Sequence, residues 1–574
     1  MSGDGMKEIL LVNLTRMGDL IQTTPVMEGL KESYPGARIT LLVNSVFAEI
    51  CKDLPFIDRL LAFDKPGFRK MIRGEEHTLV DCYRRLESFI DGVNDTAYDL
   101  AINFTPSGES ALLTSLFRAR EARGVVAGAE GGRVIRHPWQ RYFMNVIPSR
   151  RYNPFHLCDM MIKAAGLPPS GKGLHLSVSE EERGKARAVL AGHGVAGDDL
   201  LIGFQLGASE DLKAWPAASF ARLADRFAEA LGARILLTGS GSEEELGKKF
   251  ESVAAVKAVN LIGKTDIRGV AALLNRCALL VTNDTGPLHI ATAVGTPAID
   301  LSLGHVCFRE TGPYGVGHYV IEADIPCSPC GFNVKCRNPR CKEMITPGSV
   351  FELGRRILEK RGVDALDDGP AWSGVRVFRS GFSRDGLQEF VPLIRRPLSL
   401  ETFYIYLYRE TWPRVLDGSP GFSAGEACQA IEAKAAAWHG EGELEGILRE
   451  IGEDLATLRR METLAGEALT RVSLIACEAA KPSADAEWIR RTWKDVPAID
   501  REIETLGRTH PPLMPPVVLF GFGKESLEGE DLAPMAETAL GLYTDLKNHF
   551  SMLAETIGRL MEKQVKGQHG SCNT

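Results

Sequence analysis

The stretch that decides the fold is ALLVTNDTGPLHIATAVGTPAIDLSLG, residues 278–304. It begins and ends with short, nearly continuous apolar runs, and the segment between them opens a helix after Asp284-Thr285-Gly286. Short apolar runs bounded by turn residues predict strands that are buried on both faces of a parallel sheet. The order strand, helix, strand predicts a sheet with helices packed on both sides.

The same alternation occurs in two consecutive parts of the chain. The apolar runs that predict strands begin at Glu8, Arg38, Leu100 and Gly124, and then at Leu200, Arg234, Ala258, Ala278 and Pro297. Pro, Gly and Ser concentrate between residues 168 and 179, which indicates a linker there. We therefore expect an α/β protein in which two doubly wound domains, residues 6–175 and 176–365, face each other across a cleft. Ligands should lie at the carboxyl ends of the strands.

The last part of the chain, residues 366–574, has a different pattern. Apolar residues recur at alternating spacings of three and four, which is typical of amphipathic helices with a heptad-like seam; they include Leu444, Leu448, Ile451, Leu455, Leu458, Leu542, Leu546, Leu553, Ile557 and Leu560. We expect a helical extension that is either packed on itself or used for self-association.

Composition excludes several classes of protein. The 574 residues carry 67 basic and 75 acidic side chains, a formal net charge of −8, which argues against a protein that coats nucleic acid. No apolar run reaches the roughly 18 residues of a membrane-spanning helix, and the N-terminal residues lack the features of a secretory signal. We expect a cytoplasmic protein that touches a membrane, if at all, from the cytoplasmic face.

The turn at Asp284-Thr285-Gly286 has the chemistry of a phosphate site. A hydroxyl group, a flexible turn and free backbone N–H groups lie at a helix N-terminus, where anions bind well. Taken alone, Asp284 and Thr285 could equally be helix caps, and His289 could be a packing histidine.

The longer string Asp-Thr-Gly-x-x-His-x-Ala-x-Ala-x-Gly-x-Pro, residues 284–297, resembles the signature of the ADP-heptose:lipopolysaccharide heptosyltransferases, glycosyltransferase family 9. Residues 16–25 (RMGDLIQTTP) are similar to the family's Arg-x-Gly-Asp segment. Residues 207–216 (GASEDLKAWP) are similar to its phosphate-contacting loop. The three motifs occur in the family's order and cover roughly residues 6–350.

This resemblance implies a two-domain fold of the GT-B type. The first half would receive the acceptor and the second would bind the nucleotide sugar. The family chemistry is inverting, metal-independent transfer of a heptose from ADP-L-glycero-β-D-manno-heptose to the lipopolysaccharide inner core. We therefore expect no cofactor for catalysis.

Asp19 matches the family's general base, the group that would take the proton from the incoming hydroxyl. Its alternative role is the N-cap of the helix that starts near Thr23. Lys213 would place a positive charge on the diphosphate leaving group, and Ser209 and Thr285 would donate hydroxyl hydrogen bonds to it. The turn at Asp284, Gly286 and His289 would hold the sugar or the diphosphate.

A second strand-to-helix turn, residues 239–244, carries two acidic residues. By family analogy Glu243 or Glu244 would grip the ribose hydroxyls; alternatively this turn is a capped helix with an acidic first turn. The chain has Gln205-Leu206-Gly207-Ala208 where the family often has His-Pro before Gly-Ala. We keep two alternative hypotheses. The protein could transfer another nucleotide sugar to a different surface glycan, or it could be a catalytically idle scaffold that binds a sugar nucleotide.

Two stretches interleave cations with apolar residues. The first contains Lys65, Arg69, Lys70 and Arg73, and the second, residues 133–151, contains five arginines around Trp139, Tyr142 and Phe143. Both could contact acceptor phosphates or an anionic membrane surface, and both could equally be solvated surface segments.

Four of the twelve cysteines fall within fifteen residues: Cys327, Cys330, Cys336 and Cys341. Four thiols at this spacing could close a structural zinc site, or they could be free thiols. No catalytic metal is expected.

Overall fold

The computed structural model describes residues 7–74, 78–128, 131–145, 147–360, 363–418, 421–527 and 531–570. The chain divides into two units by its internal contacts. The first comprises the residues up to Val126 together with Phe155–Ile394, and the second comprises Ala127–Pro154 together with Arg395–Thr574. The three predicted domain ranges remain predictions.

The first unit begins with a six-stranded sheet in the order β3-β2-β1-β4-β5-β6. Its strands are β1 Glu8–Asn13, β2 Arg38–Asn44, β3 Arg59–Phe63, β4 Tyr98–Asn103, β5 Ala119–Ala127 and β6 Arg133–Ile135. The central strand β1 pairs in parallel with β2 on one side and β4 on the other, and Ile9 to Val12 in it are fully buried or nearly so. The four strands predicted for this half are confirmed, and β3 and β6 are additional.

Helices connect and flank these strands: α1 Met17–Ile21, α2 Thr24–Ser33, α3 Lys65–Ile72, α4 Leu79–Asn94, α5 Gly108–Ser115 and α7 Leu157–Ala164, with α6 (Pro138–Asn145) belonging to the second unit. Because β1, β2, β3 and β4 run parallel, their carboxyl ends share one edge of the sheet. The segments 14–25, 45–51, 64–73 and 104–115 follow those ends.

The second sheet of the first unit has eight strands in the order β14-β13-β12-β11-β10-β7-β8-β9. They are β7 Leu201–Gln205, β8 Arg234–Thr238, β9 Val259–Asn260, β10 Leu279–Asn283, β11 Ala298–Ser302, β12 Tyr319–Ala323, β13 Val375–Phe382 and β14 Gln388–Pro392. The five strands predicted for this half are confirmed. The sheet is parallel from β9 to β12, and β13 and β14 add an antiparallel edge.

The β13–β14 hairpin corrects part of the sequence prediction. Residues 375–392 fall in the range for which helices are expected, yet they extend the second sheet. Val375 and Val377 alternate inward with polar residues between them and join the core of that sheet. The flanking helices are α8 Glu180–Gly192, α9 Ala217–Leu231, α10 Glu244–Glu251, α11 Ile267–Arg276, α12 Gly286–Ala293, α13 Phe308–Thr311, α14 Arg340–Met344 and α15 Pro347–Leu358.

Apart from strand β6, which lies within Ala127–Pro154, the described elements of the second unit are helical. Besides α6 it contains α16 Leu400–Leu416, α17 Ala424–Trp438, α18 Glu443–Glu450, α19 Gly452–Ala479, α20 Ala486–Trp493, α21 Val496–Thr509, α22 Met514–Glu525 and α23 Leu532–Gly570. The two long helices α19 and α23 pack on each other. Leu458 and Leu464 of α19 and Leu553 and Ile557 of α23 are buried, so these seams form the core of the unit itself.

The segment from residue 131 to residue 154 also belongs to this helical unit. Trp139 and Tyr142 of α6 are buried, and the Trp139 indole donates a 2.7 Å hydrogen bond to Asp417 Oδ1. These aromatic side chains are therefore core residues and are not available for docking a lipid. No helix within the described ranges is both long enough and apolar enough to span a membrane.

Candidate active site

The turn between β10 and α12 organises the site. Its last strand residue, Asn283, is fully buried and donates from Nδ2 to the carbonyl oxygens of Leu206 and Gly207 at 3.0 and 3.1 Å. Asn283 Oδ1 accepts a 2.9 Å hydrogen bond from the backbone N–H of Trp215. These bonds tie both ends of the loop 206–216 to the Asp284–Thr285 turn. Sequence reasoning gave Asn283 no role of its own, although its place in the signature was visible.

Thr285 occupies the N-cap position of α12, but its side chain does not cap the helix. Its Oγ1 donates instead to the Asn283 carbonyl oxygen at 3.2 Å. Asp284 is nearly buried, and its Oδ2 accepts a 2.8 Å hydrogen bond from Thr311 Oγ1. The turn therefore presents the first backbone N–H groups of an eight-residue helix without a side-chain cap, and such groups attract anions.

The Asp19 turn lies directly against α12. A Cβ atom built on Gly18 would lie 2.8 Å from Cδ2 of His289, which leaves room only for glycine at this contact. Gln22 Nε2 is 3.5 Å from His289 Nδ1 on the same face. Two motifs that are separated by about 270 residues in the sequence are thus adjacent in the fold, because the carboxyl edges of the two sheets bring them together.

Asp19 lies inside α1, and the N-cap of the following helix is Thr23, so Asp19 is not that cap. Burial raises the pKa of the Asp19 carboxyl, and the nearby Asp284 carboxylate raises it further, while Arg16 opposes the shift. Burial lowers the pKa of His289, so its imidazole is neutral near pH 7. A partly desolvated carboxylate with a raised pKa is suited to accept a proton.

Lys213 ends the short 3-10 turn Asp211–Lys213 and is partly buried. Its ammonium group acts on the pKa of both His289 and Asp300, so it lies near the β10–α12 turn and the end of β11. Within the described ranges, its side chain forms no hydrogen bond or ion pair. A half-buried ammonium without a counter-ion is a site for an anionic ligand.

A cavity of about 430 Å³ opens beside this turn. It is lined by Ser209, Glu243 and Thr285 among the predicted residues, together with Met17, Gln205, Ala208, Gly239, Ser240, Ser242, Thr265, Asp266, Ile267, Val270, Pro287 and Ile290. Asp19, Lys213, Asp284 and His289 do not line this cavity. Its size suits a nucleotide, and both hydroxyl and apolar groups line it.

Glu243 caps its helix, which is one of the two roles that the sequence left open, and it also lines the cavity. Its Oε2 accepts from the backbone N–H and Oγ of Ser240 at 2.6 and 2.9 Å, which completes a capping box. Its Oε1 accepts a 2.8 Å hydrogen bond from Gln205 Nε2 while the side chain lines the cavity. Gln205, the residue at which the chain departs from the family pattern, is therefore part of the site.

The four cations of the first basic stretch lie on α3, after the carboxyl end of β3. Arg69, Lys70 and Arg73 are exposed. The pKa of Glu109 is lowered mainly by hydrogen bonds from Ser107 and from its own backbone N–H, and the charges of Lys65 and Arg69 lower it further. The α3 cations thus face the loop after β4, on the edge of the first sheet that also carries Asp19.

The cysteine cluster does not form a metal site in the described residues. No group of three or more His, Cys, Asp or Glu side chains there could hold a metal ion, and none of the four thiols forms a disulfide. Cys327 and Cys336 are exposed, whereas Cys341, at the start of α14, packs into the apolar core of the second sheet. The predicted structural zinc is therefore not supported by the described residues.

Part of the chain is similar to one family of known proteins. The sequence model of the family described as glycosyltransferase family 9 (heptosyltransferase) matches residues 87–341. Lipopolysaccharide heptosyltransferase 3 of Escherichia coli (strain K12) is 26% identical over 51% of this chain and 82% of its own length. Lipopolysaccharide heptosyltransferase 1 of Pseudomonas aeruginosa is 26% identical over 56% of this chain and 85% of its own length.

The solved structure of a glycosyl transferase family 9 protein from Veillonella parvula DSM 2008 is also similar. It is 27% identical, with a TM-score of 0.52, and the match covers 62% of this chain and 98% of that one. These matches define a glycosyltransferase. They agree with a fold in which the carboxyl edges of two sheets bring the Asp19 turn against the β10–α12 turn. Residues 87–341 of the chain match the model of glycosyltransferase family 9, and the helical unit lies largely outside this matched region.

Proposed function

We propose that this enzyme transfers a heptose from ADP-heptose to the inner core of a lipopolysaccharide, by direct displacement with inversion at the anomeric carbon. The relatives named above are lipopolysaccharide heptosyltransferases. The observation that carries the proposal is the contact of the Gly18–Asp19 turn with His289, because it brings the proposed base, Asp19, next to the proposed diphosphate turn Asp284–Gly286.

In this proposal the cavity beside the β10–α12 turn holds the nucleoside part of the donor. Glu243, already fixed by Gln205 and Ser240, accepts hydrogen bonds from the ribose hydroxyls. Ser209 and Thr285 donate to the diphosphate, and the Lys213 ammonium supplies the positive charge that stabilises the leaving group. Gly286 lets the diphosphate approach the N-terminal N–H groups of α12, and Asp284 and His289 orient the sugar.

Asp19 then removes the proton from the acceptor hydroxyl as that oxygen attacks the anomeric carbon. The bond between the sugar and the diphosphate breaks, and ADP leaves with the electron pair. The neutral imidazole of His289 and the turn beside it keep water from the reacting atoms. We propose no metal ion in this step, because Lys213 and the helix N-terminus can stabilise the negative charge that develops on the diphosphate.

We further propose that the acceptor lies over α3 in the first half of the unit. Lys65, Arg69, Lys70 and Arg73 could bind phosphate groups of the lipopolysaccharide core, and charged head groups of a membrane are their second target. The enzyme would then work at the cytoplasmic face of the inner membrane as a peripheral protein. Self-association through the helical extension remains a prediction as well.

Calorimetric titration of the full-length protein with ADP, UDP, GDP and CDP, without added metal, tests the donor. We expect selective binding of ADP, which Lys213→Ala weakens by about 10²-fold or more, as loss of a charged contact to a phosphate commonly does. Lys257→Ala, at an exposed position remote from the cavity residues, is the matched control.

Transfer to lipopolysaccharide that lacks the terminal heptose, followed by mass spectrometry, tests the acceptor. A product heavier by one heptose supports the proposal. Preferential binding of UDP or GDP would retain the glycosyltransferase but replace the donor. That outcome would favour transfer of another sugar to a different surface glycan, with the Gln205–Glu243 pair as its structural basis.

A further inference from the structure

Asp300 is a buried acid with no assigned role. It lies in β11, where its Cα pairs with Thr282 of β10 and Val320 of β12, two residues before the carboxyl end of the strand. Its side chain is 0% exposed, and neither carboxyl oxygen has a hydrogen-bond partner within the described part of the chain. A fully buried carboxyl without any partner is rare in folded proteins.

The neighbours of Asp300 along the strand explain where its side chain lies. Ile299 and Leu301 belong to the apolar core on one face of the second sheet, so Asp300 and Ser302 project from the opposite face. The charged groups that act on Asp300 are Asp284 from the β10–α12 turn, Lys213 from the 3-10 turn and Glu322 from β12. Glu322 is neutralised by a 2.8 Å ion pair with Arg376. Asp300 therefore lies behind the proposed donor site.

Two carboxylates at this place would oppose a diphosphate. Asp284 and Asp300 would both repel the anion that Lys213 attracts, and an ionised Asp300 would also lack any hydrogen bond in the interior. The group avoids this cost by keeping its proton. Consistently, burial and the Asp284 carboxylate hold the pKa of Asp300 well above its ordinary value.

We propose that Asp300 is a positioning residue of the transfer site, whose neutral carboxyl group donates its proton in a hydrogen bond to Asp284 when the donor is bound. Thr311 Oγ1 already donates to Asp284 from the side of α13. A second donor from the sheet would fix the Asp284–Thr285 turn without adding negative charge. The role in donor binding rests on the proposed function, whereas the protonation state does not.

Thermal unfolding of the full-length protein as a function of pH tests the protonation state without any ligand. Asp300→Asn keeps the shape and a donor but cannot ionise. We expect it to have a higher midpoint than the wild type at pH 8, with the difference shrinking as pH falls toward 3.8, the ordinary pKa of an aspartate. Ser302→Ala is the control, because it removes another buried polar group without a partner on the same face of β11. Its unfolding midpoint should differ from that of the wild type by the same amount at every pH. A wild type more stable than Asp300→Asn at pH 8 would overturn the proposal.

Titration with ADP tests the positioning role. Asp300→Asn should bind ADP like the wild type at pH 7, because its side-chain amide can still donate a hydrogen bond to Asp284. Asp300→Leu, which has no donor, should bind about tenfold or more weakly, as expected for loss of a hydrogen bond to a charged group. Equal affinity of Asp300→Leu and the wild type would overturn the role. If the wild type prefers UDP, GDP or CDP, the same comparison is made with that nucleotide, and only the choice of donor has failed.

Discussion

Gly18 and His289 lie so close that a methyl group on Gly18 would approach the His289 ring to 2.8 Å. This contact joins the loop after the first strand of one sheet to the helix after the fourth strand, in sequence, of the other. Both loops follow the carboxyl ends of parallel strands, where α/β proteins carry their binding sites. The contact fixes the position of the Gly18–Asp19 turn relative to α12.

Gly18→Ala should lower kcat by about 10- to 100-fold and leave ADP affinity nearly unchanged, because a displaced Asp19 turn misaligns the base while the nucleotide cavity is retained. The His289 ring is buried and must shift to admit the added methyl group. Steady-state kinetics together with ADP titration would measure both effects. Gly92→Ala is the control, because a Cβ there meets nothing within 4 Å. A Gly18→Ala enzyme with unchanged kcat would show that the contact does not position the base.

Asp19→Asn should reduce transfer by about 10²- to 10⁴-fold, the usual contribution of a general base. The amide has nearly the same shape but cannot accept the acceptor proton, so donor binding should persist. Transfer rates and ADP affinity measured on the same preparation separate the two effects. Asp91→Asn, at an exposed position of α4, is the matched control. Unchanged turnover of Asp19→Asn would remove Asp19 from the mechanism.

Glu182→Gln should destabilise the first unit by about 1–3 kcal/mol at pH 7, the range for hydrogen bonds to charged groups. Glu182 of α8 forms a two-pronged ion pair with Arg268 of α11, at 2.6 and 2.7 Å, and Arg268 is nearly buried. The Arg268 hydrogen bond lowers the pKa of Glu182 to about 2. The wild-type advantage should therefore be full above pH 4.5 and disappear as pH falls toward 2.

Calorimetric unfolding between pH 2.5 and pH 7 would check this dependence. Glu181→Gln is the control, since its ion pair with Lys185 is exposed and should contribute little. A difference between Glu182→Gln and the wild type that does not change with pH would contradict the prediction.

His549→Phe should make the helical unit less sensitive to acid. His549 is buried against Trp412, with ring centroids 4.1 Å apart, and burial lowers its pKa to about 3. A buried neutral histidine contributes stability above its ordinary pKa of 6.5, and that stability is lost as pH falls from 6.5 toward 3. Denaturant unfolding at several pH values, followed by near-ultraviolet circular dichroism of the aromatic side chains around His549, would give the change in the free energy of unfolding with pH. The same dependence of the free energy of unfolding on pH in the wild type and in His549→Phe would contradict the prediction.

Much of the fold could be predicted from the sequence. Strands buried on both faces are visible as short apolar runs, because burial on both sides demands apolar residues at consecutive positions. The signature turns at residues 16–25, 207–216 and 284–297 could be located for the same reason, since each directly follows such a run. The β13–β14 hairpin was missed, because the apolar–polar alternation in residues 375–392 is short and the helical periodicity of the following segments dominates the range from residue 366.

The sequence by itself determined which segments become strands and helices, and which residue types stand at the ends of the strands, because local periodicity and turn chemistry act over a few residues. The tertiary structure alone decided the partners across long separations: Gly18 with His289, Gln205 with Glu243, and Asn283 with the loop at Gly207. It also decided that the seams of α19 and α23 pack on each other and that Cys341 enters the core. These outcomes depend on how whole sheets and helices pack, and no local pattern carries that information.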